Sequence, residues 1–188
     1  TVIMACRNAE KATQAVADIR ASVPDAQIVV QQLDLASLAS VRSFSEALLT
    51  AGTPIDILMN NAGLMALDES RTVDGFETQI GVNHLGHFAL TGLLLPLVAA
   101  APKGRIVAVS SDGHRPGKIH LDDLMCDQRR YSRWGAYFQS KLANILFTNE
   151  LERRLREANS SIISLAAHPG TARTELGKVG TSTTNFVM

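Results

Sequence analysis

Short runs rich in β-forming residues alternate with longer helical segments along almost the whole chain. Strands are predicted at residues 2–6, 27–33, 55–59, 105–110 and 161–167, and helices at residues 9–21, 38–51, 76–100 and 133–157. This alternation predicts an α/β fold in which a doubly wound parallel sheet carries helices on both faces. The strands are nearly unbroken apolar runs, which is typical of parallel strands buried on both sides. No linker or repeat divides the sequence, so residues 1–188 are expected to form a single domain.

The composition narrows the possible partners. The chain has 188 residues and 46% hydrophobic content, enough for one globular domain with a sizeable core. Lys and Arg total 18, as do Asp and Glu, so the net charge favours a small-molecule partner over nucleic acid or an anionic membrane. Cys6 and Cys126 stand alone, which favours a reducing compartment and, by default, the cytoplasm. The longest apolar stretch, residues 88–101, is too short for a transmembrane segment.

Tyr137 and Lys141 are the first candidates for chemistry. They are four residues apart in a predicted helix, so both side chains share one helix face. An ammonium group beside a phenol stabilises the phenolate and lowers the phenol pKa from its usual value of about 10. We therefore expect Tyr137 to act as a general acid or base.

Five histidines raise the question of a metal site. His84 and His87 are three positions apart, but the glutamate-bearing pattern of a zinc-binding helix is missing. The other three histidines fall in predicted turns or loops. No metal is therefore expected.

Three further motifs accompany the Tyr–Lys pair. The sequence Asn60-Asn61-Ala62-Gly63 follows the third predicted strand, Asn83 lies in Gly-Val-Asn-His-Leu-Gly, and Ser110-Ser111 ends a strand at residues 105–110. Taken in order, these motifs resemble the short-chain dehydrogenase/reductase family, from the first residues to about Thr174. The resemblance implies a Rossmann-type, three-layer α/β/α domain and an NAD(P)-dependent oxidoreductase.

The resemblance also implies a role for each catalytic candidate. Ser111 would contact the substrate oxygen and, with Tyr137, stabilise the negative charge that develops there. Lys141 would lower the pKa of Tyr137 and hydrogen-bond the nicotinamide ribose. Asn83 would hold a water molecule that links Lys141 to solvent. The alternatives are a strand-end cap for Ser111 and a buried helix asparagine for Asn83.

The cofactor residues follow the ends of the strands. Arg7, with Asn8, comes directly after the first strand and offers a fork for a 2′-phosphate, which favours NADP(H), although Arg7 could also be a plain surface charge. Asp34 could contact adenine or cap the next helix. The complete set that the resemblance implies is Arg7, Asn8, Asp34, Leu35, Asn60, Asn61, Ala62, Gly63, Ser110, Tyr137, Lys141, Pro169, Gly170, Thr171 and Thr174.

The interval between Ser111 and Tyr137 is longer than in the family's main subgroup, which implies an insertion. The insertion contains the segments 113–117, 121–124 and 131–134. Together with residues 139–144, these segments resemble the branch that contains retinol dehydrogenases, WW-domain oxidoreductase and protochlorophyllide reductase. That branch implies hydride transfer between NADP(H) and a bulky lipophilic carbonyl or alcohol, or reduction of a ring double bond. A non-catalytic binding or oligomerisation module is the alternative from another class. The insertion could line the substrate mouth or simply connect two elements.

The resemblance sets expectations for the ends of the chain and for assembly. Residues 2–6 match the family's second strand, so the first strand, its glycine-rich turn and the last strand are expected to be missing from a fragment of this extent. In the usual strand order, the first strand lies between the second and fourth. The fragment should therefore have a gap in mid-sheet with two unpaired edges. A homodimer or homotetramer through the helices of Asn83 and Tyr137 is also implied.

Overall fold

The structure is a computed structural model that describes residues 1–170. Strands and helices alternate along these residues, as the sequence predicts. In chain order they are β1 (Val2–Cys6), α1 (Ala9–Ser22), β2 (Ile28–Gln32), α2 (Leu38–Ala51), β3 (Ile57–Asn60), α3 (Thr78–Ile80), a π-helical turn (Gly81–Leu85), α4 (Gly86–Ala99), β4 (Arg105–Val109), two 3₁₀ turns (Asp112–His114 and Leu121–Asp123), α5 (Arg133–Glu157) and β5 (Ile163–Ala167).

All strand pairs in residues 1–170 are parallel, which confirms the predicted α/β architecture. β1 pairs with β2, and β4 lies between β3 and β5. The two sheets share no ladder, so β1 and β3 each have one paired edge. This is the break that the family strand order predicts. The carboxyl ends of β3, β4 and β5 meet at one edge of the larger sheet, where ligands bind in such folds.

Polar residues in the sequence fix where the main helices begin. Asn8 Oδ1 accepts a hydrogen bond from Lys11 N at 2.9 Å at the start of α1. Ser37 and Ser132 cap α2 and α5 in the same way. These caps satisfy amide groups that the first helical turn leaves unpaired. The suggestion that Asp34 caps α2 is wrong, because Ser37 occupies that position and Asp34 Oδ1 instead accepts from Ala36 N at 2.9 Å.

One hydrophobic core joins α2, α4 and the larger sheet. Its most buried members include Val41 from α2, Leu94 and Val98 from α4, and Ile106 from β4. Residues from α5 and from the segment before β5 complete this cluster. The core fixes α4 and α5 near the sheet edge where β4 ends. It therefore positions α5, which carries Tyr137 and Lys141, and the π-helical turn with Asn83 that continues into α4.

The prediction that the strands are buried on both faces is wrong for β1, β2 and β3. Val2 is 59% exposed, and Ile57 and Met59 on β3 are 60% and 58% exposed. Their neighbour Leu58 points into the core. The described helices that contact β3 cover its Leu58 face, so the alternate residues remain open among residues 1–170.

The helical run Thr78–Ala99 is longer than the apolar stretch that the sequence suggests. It has 22 residues, and its most apolar 18-residue window has a mean hydropathy of 1.4, so it is long and apolar enough to cross a bilayer by length and composition alone. Half of its most apolar window is buried inside the protein, as in the core helix of a water-soluble domain. This helix is therefore weak evidence for a membrane span.

Candidate active site

Residues from three separate parts of the chain meet beside the carboxyl end of β4. Asn83 lies in the π-helical turn, Lys141 lies on α5, and Gly63 follows β3. A Cβ placed on Gly63 would be 3.4 Å from Asn83 Oδ1 and 3.4 Å from Lys141 Nζ. The structure therefore brings these predicted residues together around the loop that carries Asn60 to Gly63.

Ser111 and Tyr137 meet at a second glycine, Gly113. A Cβ on Gly113 would lie 2.9 Å from Ser111 Oγ and 3.1 Å from the Cε1 atom of Tyr137. Ser111 Oγ accepts a hydrogen bond from Gly113 N at 3.0 Å, so this side chain does form the local cap that was the alternative interpretation. A hydroxyl that accepts one hydrogen bond still has its own proton to donate. The cap and a contact to a substrate oxygen are therefore compatible.

The predicted effect of Lys141 on Tyr137 is wrong for this structure. Burial raises the pKa of Tyr137 above its ordinary value, and interaction with the Ser111 hydroxyl partly opposes that rise. Lys141 Nζ lies 5.7 Å from the centroid of the Tyr137 ring. It donates a hydrogen bond to Val109 O at 3.2 Å. Ser111, and not Lys141, is thus the side chain that favours the phenolate here.

The pKa of Lys141 itself is strongly lowered. Its side chain is buried, and burial lowers the Lys141 pKa to about 8. The surrounding backbone is fixed, because Ser110 Oγ donates to Lys141 O at 2.9 Å and Asn144 Nδ2 donates to Val109 O at 3.2 Å. The end of β4 and the middle of α5 are therefore held together on both sides of the lysine. A lysine with this pKa changes charge close to physiological pH, which suits proton transfer.

Asn83 is fully buried and joins two neighbouring elements. Its Oδ1 accepts from Leu64 N at 2.7 Å, while Nδ2 donates to Leu64 O and to Ser140 Oγ, both at 2.9 Å. These bonds fit the alternative interpretation of Asn83, in which it is a buried helix asparagine with a structural role. They leave the side chain little capacity for a water molecule. The π-helical turn around Asn83 is a local distortion that is frequent at functional sites.

The buried His87 contacts the backbone of Asn83, and the sequence pattern does not reveal this contact. Its Nδ1 lies 3.2 Å from Asn83 O. Burial lowers the pKa of His87 to about 4, partly opposed by this backbone contact, so the ring is neutral at physiological pH. Within residues 1–170, no cluster of metal-binding side chains is present.

The predicted cofactor residues near β1 and β2 lie at strand ends, but several of their side chains are already engaged. Arg7 is exposed, whereas Asn8 caps α1 and Asp34 closes a turn. Leu35 packs against α4, since a Cβ on Gly86 would lie 2.6 Å from Leu35 O. The exposed guanidinium of Arg7 remains available for an anionic group at this edge.

The motif after β3 splits into two parts. Asn60 is buried, and its Nδ2 donates to Thr91 Oγ1 at 2.9 Å, whereas its Oδ1 has no partner among the described residues. Asn61 and Ala62 are exposed, and Gly63 approaches Asn83 and Lys141. Asn60 therefore faces the interior, while the next two residues present an open surface.

The last predicted motif lies at the limit of the described residues. Pro169 and Gly170 are exposed, and Gly170 adopts a φ of +73°, which favours glycine. His168 Nε2 lies 2.8 Å from Asp112 Oδ2, so this segment contacts the turn that follows Ser111. Thr171 and Thr174 lie outside the described residues.

Gln139 is a site residue that sequence reasoning missed. It lies between Tyr137 and Lys141 and is buried on the opposite side of α5. Its Oε1 accepts from His120 N at 3.1 Å, and its Nε2 donates to Leu124 O at 3.0 Å. Gln139 therefore attaches the insertion directly to the helix of the catalytic candidates.

A second contact holds the insertion against α3. The Tyr131 hydroxyl donates to Glu77 Oε1 at 3.1 Å and accepts from Gln79 Nε2 at 2.9 Å. Glu77 in turn accepts from Ile80 N at the start of the helical run that carries Asn83. Arg71 pairs with Asp127 at 2.8 Å on the outer side. The insertion is thus a packed part of the site's wall.

An aromatic group borders Tyr137. The Trp134 ring meets the Tyr137 ring edge-on at 6.0 Å between centroids and lies 5.7 Å from the Phe138 ring. Trp134 is partly exposed. Aromatic side chains in this position present apolar surface to whatever approaches the phenol.

A parallel α/β domain with Ser, Tyr and Lys side chains at the carboxyl end of its strands defines the class of nicotinamide-dependent oxidoreductases. The family model described as short chain dehydrogenase matches residues 1–184. The chain belongs to this short-chain dehydrogenase family, whose members use NAD(P), and its fold is of the Rossmann type.

Individual relatives define the branch. The chain is 48% identical over 177 residues to human retinol dehydrogenase 13, covering 94% of this chain and 53% of the relative. It is 46% identical over 175 residues to human retinol dehydrogenase 12, covering 93% of this chain and 54% of the relative. The chain spans about half the length of the curated relatives it matches. These similarities confirm the predicted resemblance to the retinol dehydrogenase branch.

Solved structures agree with the fold. A crystal structure of an uncharacterised protein from Mycobacterium paratuberculosis is 50% identical and has a TM-score of 0.81, covering 95% of this chain and 62% of that one. The crystal structure of a short chain dehydrogenase from Salmonella enterica serovar Typhi is 26% identical and has a TM-score of 0.73. The match covers 95% of this chain and 70% of that one.

Proposed function

We propose that the protein transfers a hydride between NADP(H) and a lipophilic carbonyl or alcohol, with Tyr137 as the general acid or base. The observation that carries the proposal is the convergence of Ser111, Tyr137, Lys141 and Asn83 at the carboxyl end of β4. Residues 1–188 would form one NAD(P)-binding domain. The similarity to retinol dehydrogenases supports an oxidised or reduced alcohol carbon as the reacting centre.

The cofactor, when bound, supplies or accepts the hydride. In the reducing direction, Ser111 donates its free proton in a hydrogen bond to the substrate carbonyl oxygen. Tyr137 then gives its proton to that oxygen as negative charge develops. The raised pKa of Tyr137 keeps the phenol protonated and ready to donate. Lys141, with a pKa of about 8, is placed to help return a proton to Tyr137.

The cofactor preference rests on Arg7. Its exposed guanidinium at the carboxyl end of β1 fits the 2′-phosphate of NADP, whereas an acidic residue there would fit the ribose hydroxyls of NAD. Asp34, Leu35, Asn61, Ala62 and Gly63 would border the adenosine half. Within this proposal, Lys141 would hold the nicotinamide ribose.

Two further features fit a lipophilic substrate and an assembled enzyme. Trp134 and Phe138 offer apolar surface beside Tyr137. Phe88 on α4 and Leu146 on α5 are 55% and 50% exposed, which supports a homodimer or homotetramer through these helices. The cytoplasmic location expected from the isolated cysteines remains part of the proposal.

The test uses the two tyrosines of the chain as a matched pair. In the full-length protein, with NADPH and a long-chain aldehyde, Tyr137→Phe should lower kcat by about 10²- to 10⁴-fold, the contribution of a positioned proton donor. Tyr131→Phe removes the hydroxyl that contacts Glu77 and Gln79, so it should reduce stability and leave kcat within a few-fold.

Equal kcat values for the wild-type and Tyr137→Phe proteins would refute the assignment. Product analysis with an α,β-unsaturated long-chain aldehyde decides the reaction type, because a saturated aldehyde in place of an unsaturated alcohol would show ene reduction. Unchanged nicotinamide fluorescence on titration with the protein would favour the non-catalytic binding module.

A further inference from the structure

A cavity of about 250 Å³ lies between the insertion and the first turn of α5, apart from the Ser111 and Tyr137 side chains. Its walls come from residues 116–130 on one side and from Ser132, Gly135, Ala136 and Phe138 on the other. The volume is below the roughly 300–1,000 Å³ typical of pockets for drug-sized ligands. The cavity therefore suits a small ligand.

The charge of the lining is strongly one-sided. Lys118, Arg129 and Arg130 all border the cavity. Arg129 is paired with Asp123, whose carboxylate also accepts backbone amides in the same loop. Lys118 and Arg130 have no acidic partner within ion-pair distance among residues 1–170. Because the whole chain has a net charge of zero, this excess of positive charge is a local feature that attracts anions.

Apart from the polar side chains of His120 and Ser132, the remaining walls are apolar. Pro116, Ala136 and Phe138 contribute hydrocarbon surface, and the lining includes the buried Cys126, whose Sγ atom Arg129 contacts at 2.8 Å. A ligand that satisfies both kinds of surface has an anionic head and a short apolar body. An inorganic anion alone would leave the apolar walls uncovered, and a neutral alcohol would leave the cations without a counter-charge.

We propose that this cavity binds a small, free anionic amphiphile, with its carboxylate or phosphate head between Lys118 and Arg130 and its alkyl part against Phe138. This site is independent of the hydride-transfer proposal. Phe138 also lies 6.1 Å from the Tyr137 ring, between centroids, so an occupied cavity contacts a direct neighbour of the phenol.

The test is isothermal titration calorimetry on the full-length protein with octyl phosphate, octanoate, octanol and inorganic phosphate. Octyl phosphate or octanoate should bind at least about tenfold more tightly than octanol and than inorganic phosphate. Added salt should weaken the binding of both amphiphiles, because the two cations are exposed to solvent. Equal affinity for octyl phosphate and octanol would overturn the proposal.

A matched pair of double variants locates the site. Lys118→Gln with Arg130→Gln should raise the Kd of the amphiphile at least about fivefold. Arg42→Gln with Lys103→Gln removes two exposed cations elsewhere and should leave the Kd unchanged. An equal loss in both double variants would show unspecific attraction by net charge, contrary to the proposal.

Trp134 gives a local readout because its ring lies 5.7 Å from Phe138 and it is the single tryptophan of the 188 residues. The emission change on binding, taken as the difference between wild-type and Trp134→Phe proteins, should saturate with the calorimetric Kd. If the emission change on binding does not depend on Trp134, the ligand binds elsewhere, contrary to the proposal. Binding only to vesicles containing phosphatidylglycerol, with no competition by free octyl phosphate, would assign the cations to a membrane surface and overturn the proposal.

Discussion

Lys141 is held in the folded protein at a cost in stability, and that cost can be measured. Its side chain is 4% exposed, and burial lowers its pKa from 10.5 to about 8. At about 1.4 kcal/mol per pKa unit, this shift corresponds to about 3 kcal/mol. Replacing Lys141 with Met keeps a long apolar side chain and removes the buried charge.

The direction in which pH changes the stability follows from how many protons Lys141 binds in the folded and in the unfolded chain. Below pH 8 both the folded and the unfolded chain carry the charge, so the full desolvation cost is present. Between pH 8 and 10.5 the unfolded chain binds more protons at this site, so the free energy of unfolding rises with pH. Lys141→Met lacks this contribution and should show its largest advantage at neutral pH.

The net gain is smaller than the pKa shift alone suggests. The substitution also removes the hydrogen bond from Lys141 Nζ to Val109 O, worth about 1 kcal/mol. We therefore expect Lys141→Met to be more stable than wild type by about 2 kcal/mol at pH 7 while losing most of its activity. A stability gain together with a loss of activity is the behaviour expected for a functional buried charge.

The assay is urea denaturation of the full-length protein at pH 7 and pH 9.5, with kcat measured in parallel. Lys103→Met is the control, because Lys103 is exposed and its replacement should change stability by less than about 0.5 kcal/mol. A Lys141→Met protein that is less stable than wild type at pH 7 would refute the reasoning. An advantage that does not shrink at pH 9.5 would also refute it.

Three other substitutions test the geometry of the fold and of the site. Gly113→Ala places a methyl group 2.9 Å from Ser111 Oγ, so we expect a displaced hydroxyl and a kcat lower by about 10²-fold. Gly92→Ala, a helix position with open space around it, should instead add about 0.5–1 kcal/mol to stability at unchanged kcat. Asp74→Ala removes the carboxylate that accepts from Leu38 N at 2.8 Å and should cost about 1 kcal/mol in chemical denaturation. Wild-type kcat in Gly113→Ala, or wild-type stability in Asp74→Ala, would contradict these contacts.

The sequence predicts the helices well because their signals are local, whereas the strand order came from the family resemblance. Ser37 and Ser132 stand directly before α2 and α5, and both helices begin where these caps place them. The alternation of strands and helices required parallel pairing, and the structure has it. Exposure of Ile57 and Met59 was not predictable in the same way, because an apolar run does not show which of its faces a helix will cover.

The electrostatics of the site depend on packing that spacing does not reveal. Tyr137 and Lys141 are one helical turn apart, which fixes a shared face but neither the depth of burial nor the direction of the ammonium. The structure turns Lys141 Nζ to Val109 O and buries the Tyr137 ring. Desolvation then outweighs the neighbouring charge, so the pKa of Tyr137 rises where the spacing predicted a fall.

The insertion shows the limit of motif reasoning most clearly. The sequence motif includes Gln139 between Tyr137 and Lys141 but gives this residue no role in the site. In the structure, its side-chain amide hydrogen-bonds His120 N and Leu124 O. A sequence pattern does not predict these partners, because both are backbone atoms. Because Tyr131 fixes the other end of the insertion to the buried Glu77, both ends are attached to elements that carry site residues. Two buried attachments of this kind make the insertion a fixed wall of the site, so the loss of a single hydrogen bond in one of them, as in Tyr131→Phe, should lower stability before it changes the geometry around Tyr137.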